Sequence, residues 1–454
     1  MKKDSEQQVG LKLNKPENLK LEDLIKPEFP FFAPVRKDDG SNSHRMTTGK
    51  RILKHLPALY FFIHVLLERQ HSDIETLRLI YDESYVKMFS RDIEPLKSKN
   101  DFRFIWGILR ALRIIEEWNN LEPNQYRKSA VAYYFRLAEP YRSSPVVQYE
   151  VMIKKSVNDK LNTKWNVKPL KAIDLSKITN NKALAHQYMA LRSINMDYGA
   201  TRRYSTELLH NGDINVKQYN THMISINNLD NQRIKVTYSD KCHRFYTPIT
   251  SMPKLIRPFI RDAEGNSLIE LDYGSFNAFA VYKILNAVNP DYESNAEKFA
   301  FRHELSLYKD ILSGGDFYRD FKTVFFPHED LTRDQVKDIV LKKWFNGKPE
   351  SRNKYRKHIV KRMPKISEII DSLKAKQYEN FSNIAMRLES QLVNDIVYAK
   401  FVELHPDAIM YTIFDSFLVE SKYASQLYTM MLEEGNHFFD LNCIVNTKSD
   451  IKII

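Results

Sequence analysis

Two cysteines, Cys242 and Cys443, are all that 454 residues contain, and they stand far apart with no partner at metal-ligand spacing. No disulfide framework and no zinc site follows; the usage fits a reducing compartment, so a cytoplasmic protein is expected. Glycine and proline are sparse at 12 and 18 residues, which argues against a low-complexity or disordered chain. Long hydrophobic runs are missing as well. The most apolar early stretch, Leu56 to Leu67, is bounded by Lys54, His55, Glu68 and Arg69 and falls short of the roughly 20 residues of a spanning helix. It predicts a core helix, with His64 as a buried histidine rather than a ligand. Met1 to Lys20 carries lysines but no apolar segment, and no secretory signal is expected.

What is present is a core-forming composition, 43% hydrophobic and 12% aromatic, with room for two or three domains of about 100 to 200 residues each. The chain is basic: 69 Lys and Arg face 57 Asp and Glu, a net charge of +12. A field of that sign favours polyanions, nucleic acid first and anionic membrane second. A lysine-biased genome would raise the same count.

Four regions are expected. Residues 1–44 are polar and punctuated by Pro16, Pro27, Pro30 and Pro34, with a loop at Asp38 to Ser43, and read as a mobile arm or lead-in. Residues 45–145 read as helical. Asp101 to Trp118 shows helical spacing of Phe104, Ile105, Ile108, Leu109, Leu112 and Ile115, followed by strand character at Ala130 to Leu137. A long helix, a basic loop with Arg127 and Lys128, and a strand fit a nucleic-acid-binding winged helix; a plain helical domain fits equally. Residues 146–235 read as thumb-like helices, with Lys182 to Gly212 closed by an Asn-Gly turn. Residues 236–454 carry the chemistry. Asp73 and Glu75 have the Asp-x-Glu spacing of a proofreading exonuclease, but Ser72 and Glu75 make a capping box on a helical pattern.

The chemistry centres on Leu268 to Asn277, LIELDYGSFN, a buried strand that delivers Asp272 to its end before turning into an apolar helix. Ala408 to Ser421 has the pattern of a β-hairpin with Asp415 and Ser416 at the tip. Two acids at strand ends suit hard divalent cations, which take carboxylates and substrate phosphates; two turn aspartates would look the same. Thr332 caps a helix on which Arg333, Lys337 and Leu341 recur every four residues, with Phe345 one turn on. That face suits a triphosphate.

The order of these parts resembles the palm and fingers of family A DNA polymerases and the related single-subunit phage-type RNA polymerases, over residues 236–454. HRFYT with SMP (His243 to Pro253) stands where that family has its segment before motif A. LIELDYGS resembles motif A, the Arg333–Lys337–Phe345 spacing the fingers helix, HIVKRMPKISEIIDSL (His358 to Leu373) a helix with a central proline, and Phe414-Asp415-Ser416-Phe417 motif C. The resemblance implies an α+β fold: an antiparallel palm sheet with helical fingers and thumb-like helices, behind a mostly helical N-terminal domain. It implies a DNA polymerase-like nucleotidyltransferase without proofreading, from a mobile element, phage or defence system. Two Mg²⁺ ions, or Mn²⁺, would be held by Asp272 and Asp415. Arg333, Lys337, Phe345, Asn277 and Tyr273 would bind the nucleoside triphosphate. Arg244, Arg257, Arg261 and Arg387 would contact a DNA or RNA template-primer.

The departures are Phe414 in place of a histidine and Asn277 where related DNA enzymes carry glutamate and RNA enzymes glycine. Asparagine is neutral and one methylene shorter than glutamate, so weaker exclusion of ribose is expected. A catalytically inactive nucleic-acid-binding descendant and an RNA polymerase or primase remain as alternatives.

Overall fold

In a computed structural model of the chain, the described residues are 8–28, 30–36, 42–72, 86–88, 101–117, 133–155, 157, 172–234, 236–288, 290, 292, 294–349, 351–375 and 380–448. Helices combine with small sheets whose strand pairs are antiparallel, an α+β composition. No helix among the described residues is long and apolar enough to cross a membrane. The chain forms two units: 1–169 with 196–235 and 251–259, and 170–195 with 236–250 and 260–454. One of the breaks between the units falls at 235/236, whereas 145 lies inside the first unit.

In the first unit, β1 (Gln8–Pro16) pairs with a strand remote in sequence, so this part of the expected lead-in is a structural element rather than a mobile arm. Val9, Leu11 and Leu13 alternate with polar residues at the strand period of two, and Leu11 and Leu13 are buried. Lysines between them hide the pattern. β2 (Pro30–Arg36) and β3 (Asn42–Thr48) form a hairpin. The helix Leu56–Ser72 is buried nearly all round, including Leu59, Phe61, Phe62, Ile63 and Leu66; each such side chain contributes roughly 1.5–3 kcal/mol. His64 sits in it at 0% exposure, Nδ1 accepting from the Asn14 N–H at 3.0 Å.

β4 (Val86–Met88), β5 (Ile115–Glu117) and β6 (Tyr133–Leu137) form a sheet in the order β4-β6-β5. The helix expected to reach Trp118 stops at Ala111, and Arg113, at φ 55°, turns the chain into β5. β7 (Val146–Lys154), where helix was expected, is the partner of β1, with Gln8 opposite Lys154 and Pro16 opposite Val146. The helices Tyr198–His210 and Val216–Asp230 complete this unit. Arg127 and Lys128, the expected wing, and Asp73 and Glu75 lie outside the described residues.

In the rest of the chain β8 (Asn195–Met196), β9 (Thr237–Tyr238), β10 (Phe245–Tyr246) and β11 (Ile260–Arg261) are two-residue strands, of which β9 and β10 pair. The second unit is built on β12 (Leu268–Tyr273), β13 (Met410–Ile413), β14 (Ser416–Glu420) and β15 (Val445–Lys448), in the order β13-β14-β12-β15. Leu271, Tyr273, Phe417, Val419 and Val445 enter one core with residues of the helices Phe276–Ala287 and Ala424–Phe439. Gly435 lets the second of these approach the sheet, since a Cβ there would stand 2.9 Å from the Tyr273 ring.

Candidate active site

The register of β12 with β14 sets Asp272 directly opposite Ser416, and the Tyr273 N–H donates to the Asp415 carbonyl at 3.0 Å. Asp415 directly precedes Ser416 in the turn, so the two acids share one end of adjacent strands. Both are half-buried. The hairpin tip is Phe414-Asp415 rather than Asp415-Ser416: Ser416 opens β14, and its hydroxyl donates to the Ile413 carbonyl at 3.0 Å.

Phe414 takes a left-handed conformation, φ 58°, which costs a non-glycine residue roughly 1–2 kcal/mol. Its ring is clasped: the Arg244 guanidinium lies 4.5 Å over it, and Tyr246 meets it edge-on at 6.1 Å. Arg244 also donates from Nε and Nη2 to the two oxygens of Glu389, both at 2.7 Å. Burial pushes the Glu389 carboxyl above its ordinary range, and Arg244 offsets that only in part.

The cationic helix is Arg333–Asp338, capped by a reciprocal Thr332–Gln335 box and continued as a π-helical turn, Ile339–Phe345. Arg333 and Lys337 are exposed and converge on one ring, Tyr318, at 5.3 and 5.9 Å from its centre. Tyr318 is 2% exposed. Burial holds its hydroxyl well above the usual phenol range; Arg333 draws it down, and the charges of Asp415 and Asp316 push it up. Asp415 and the cationic helix therefore act on a common group. Asp316 caps the helix Phe317–Phe325 through the N–H groups of Tyr318 and Arg319 and receives Arg333 Nε at 2.8 Å. Burial disfavours its ionised form, but Arg333 and the two N–H groups hold the carboxyl below its ordinary value.

Other expected residues are placed differently. Tyr273 is 2% exposed and donates to the Met431 carbonyl at 2.7 Å; strand alternation puts it on the face opposite Asp272. Phe345 is likewise a core residue, 2% exposed against Trp344 and Phe381, because the π-helical turn carries it into the aromatic cluster. Asn277, second in the helix Phe276–Ala287, is half-buried, and its amide forms no hydrogen bond with a described residue. Arg387 is exposed and donates to the Lys241 carbonyl at 2.8 Å. Arg261 donates to the Ile260 carbonyl at 3.0 Å. Arg257 belongs to the other unit and donates to the Met252 carbonyl at 3.0 Å.

Sequence reasoning gave no role to Tyr318, Asp316 or Glu389. Asp316 before the Phe317, Phe321, Phe325 spacing was a visible N-cap signal. Nothing local pairs Glu389 with Arg244. Among the described residues no group of three or more His, Cys, Asp or Glu could hold a metal ion, so the acids at the strand ends offer two carboxylates.

No protein-family model and no curated protein matches this sequence. Among solved structures, the chain is similar to the POL domain of Pol1 from M. smegmatis in complex with DNA primer-template and dNTP. The identity is 11% and the TM-score 0.25, over 54% of this chain and 55% of that one. The chain thus spans about half of that structure's length, and a likeness of this size carries no argument about role.

Proposed function

We propose that the second unit is a template-directed nucleotidyltransferase of the family A polymerase type, with DNA synthesis favoured and no proofreading. One observation carries this: Asp272 and Asp415 at one end of adjacent strands, with Arg333 and Lys337 gathered on a tyrosine that feels the charge of Asp415. Two carboxylates, with no third acid grouped with them among the described residues, suit Mg²⁺, which keeps waters and substrate phosphates as its other ligands. Asp272 and Asp415 would hold it, and when bound it would activate the 3′-hydroxyl and stabilise charge on the phosphoryl oxygens. Arg333 and Lys337 would bind the outer phosphates and balance charge that develops as pyrophosphate leaves. Tyr318 beneath them fixes their spacing, and Asp316 orients Arg333. Asn277, whose amide bonds no described residue, would meet the sugar.

Primer extension with dNTPs and Mg²⁺ tests the reading. Asp272→Ala and Asp415→Ala should each lower incorporation by about 10³ or more, the several kcal/mol that such charge stabilisation supplies. Full activity in either variant ends it. In the same assay Asn277→Glu should sharpen dNTP preference over rNTP by about ten- to two-hundred-fold; an unchanged ratio would show that Asn277 does not face the sugar.

A non-catalytic nucleic-acid-binding protein is the second reading, favoured by the burial of Tyr273 and Phe345, two groups expected around a nucleotide. It requires binding that ignores Mg²⁺ and both acid variants, with no incorporation by the unaltered chain.

A further inference from the structure

Between residues 342 and 365 the chain has ten Lys or Arg and one acid, Glu350, a net +9 of the total +12; elsewhere 59 basic residues face 56 acidic ones. A lysine-biased genome would spread its excess along the chain. This excess is local, and the structure separates the cations that are engaged from those that are not. Arg356 is 4% exposed and paired with Asp371; Lys365 reaches Glu297, Lys342 reaches Asp338 and Lys354 reaches Glu329 at 3.5 Å. Arg362 bonds the Val324 carbonyl and stacks on Phe325. Lys343, Lys348, Arg352, Lys357 and Lys361 are exposed and have no ion pair with a described residue.

We infer that these five side chains form a binding surface for the phosphate backbone of a single nucleic-acid strand. On the helix Lys354–Arg362, Lys357 and Lys361 of the five share one face with Lys354, which also reaches Glu329, at i, i+3 and i+7, while Arg356 and Ile359 are buried. The row runs for about 10 Å at 1.5 Å per residue. A single file of cations matches one backbone rather than the two that border a duplex groove. No stacking platform accompanies it: Trp344 and Phe345 are buried, and Tyr355 is half-buried with Lys354 over its ring at 4.5 Å. With no exposed Trp, Tyr or Phe among the described residues of this segment, the surface holds phosphates and does not read bases. It depends on the polymerase reading only in taking the strand to be the template.

Fluorescence anisotropy of a labelled single-stranded oligonucleotide and a blunt duplex, titrated with the full chain across a salt series, tests this. The five-fold variant Lys343→Gln, Lys348→Gln, Arg352→Gln, Lys357→Gln, Lys361→Gln should bind the single strand at least about ten-fold more weakly at low salt. Its log–log salt slope should be shallower by about 0.7 for each cation engaged. Binding of the duplex should change far less. Asp272→Ala should keep the full slope, so failure of the catalytic reading leaves this outcome untouched. An unchanged slope in a variant with unaltered circular dichroism would overturn the assignment. Equal losses on the duplex would overturn the single-strand choice, and losses confined to anionic vesicles would overturn nucleic acid as the partner.

Discussion

Arg244 makes two 2.7 Å hydrogen bonds to a carboxylate that is 3% exposed, and its flat face covers Phe414 beside Asp415. A bidentate guanidinium held this way has little freedom left. Arg244 thus serves to hold the hairpin tip in its left-handed turn, although the sequence pattern suggested contact with a primer-template. Arg244→Ala should destabilise the protein by about 3–5 kcal/mol because it strands Glu389 as a buried, unpaired charge, whereas Arg244→Met with Glu389→Leu should recover most of that loss. Urea denaturation of the single and double variants would measure it. Losses that simply add would show that the two side chains do not act as a pair.

At the scale of elements, the site depends on how two helices begin. Thr332 and Gln335 close the start of the cationic helix, and Asp316 closes the start of Phe317–Phe325 while gripping Arg333. The cap and the ion pair can be separated, since asparagine caps as well as aspartate but carries no charge. Asp316→Ala should cost about 1–2 kcal/mol; Asp316→Asn should cost less than about 1, because Arg333 is half exposed and the pair is screened. Thermal unfolding of both variants decides between them, and an equal cost would assign the stability to the ion pair. Both π-helical turns, Ile339–Phe345 and Gln391–Tyr398, follow directly on helices that carry proposed site residues. Such turns re-aim the side chains beyond them, as Phe345 shows.

At the scale of the whole molecule, each unit has its own core, and the first contains buried histidines. His222 is 2% exposed, with Nδ1 3.1 Å from the Ser205 hydroxyl, and burial pushes its pKa down to about 4. His64 is shifted in the same direction, by burial against the opposing pull of Glu68. A histidine whose folded pKa lies below its unfolded value favours the folded state when neutral. Its stability contribution is complete above the unfolded pKa of about 6.5 and declines as pH falls towards 4, by about 3 kcal/mol at most for His222. Denaturant unfolding followed from pH 7.5 to 4.5 should show that decline, and His222→Gln should flatten it; an unaltered pH dependence in the variant would refute it.

Local order was legible in the sequence wherever neighbours along the chain decide the structure. The strand Leu268 to Tyr273 and its turn into a helix, the Asp415 hairpin, the Thr332 cap and the burial of His64 all follow from periodicity, turn residues and capping chemistry within one element. The pairing of β1 with β7, the joining of Arg244 to Glu389 and the burial of Phe345 were decided only by tertiary structure. Each depends on a partner far along the chain or on space left in a core, and neither leaves a periodic trace. The candidate site divides in the same way. Its acids and cations were readable as residues at strand ends and on a helix face, but the gathering of Arg333 and Lys337 on Tyr318, which Asp415 also influences, required the packed second unit, because proximity across distant segments is set by packing rather than by spacing.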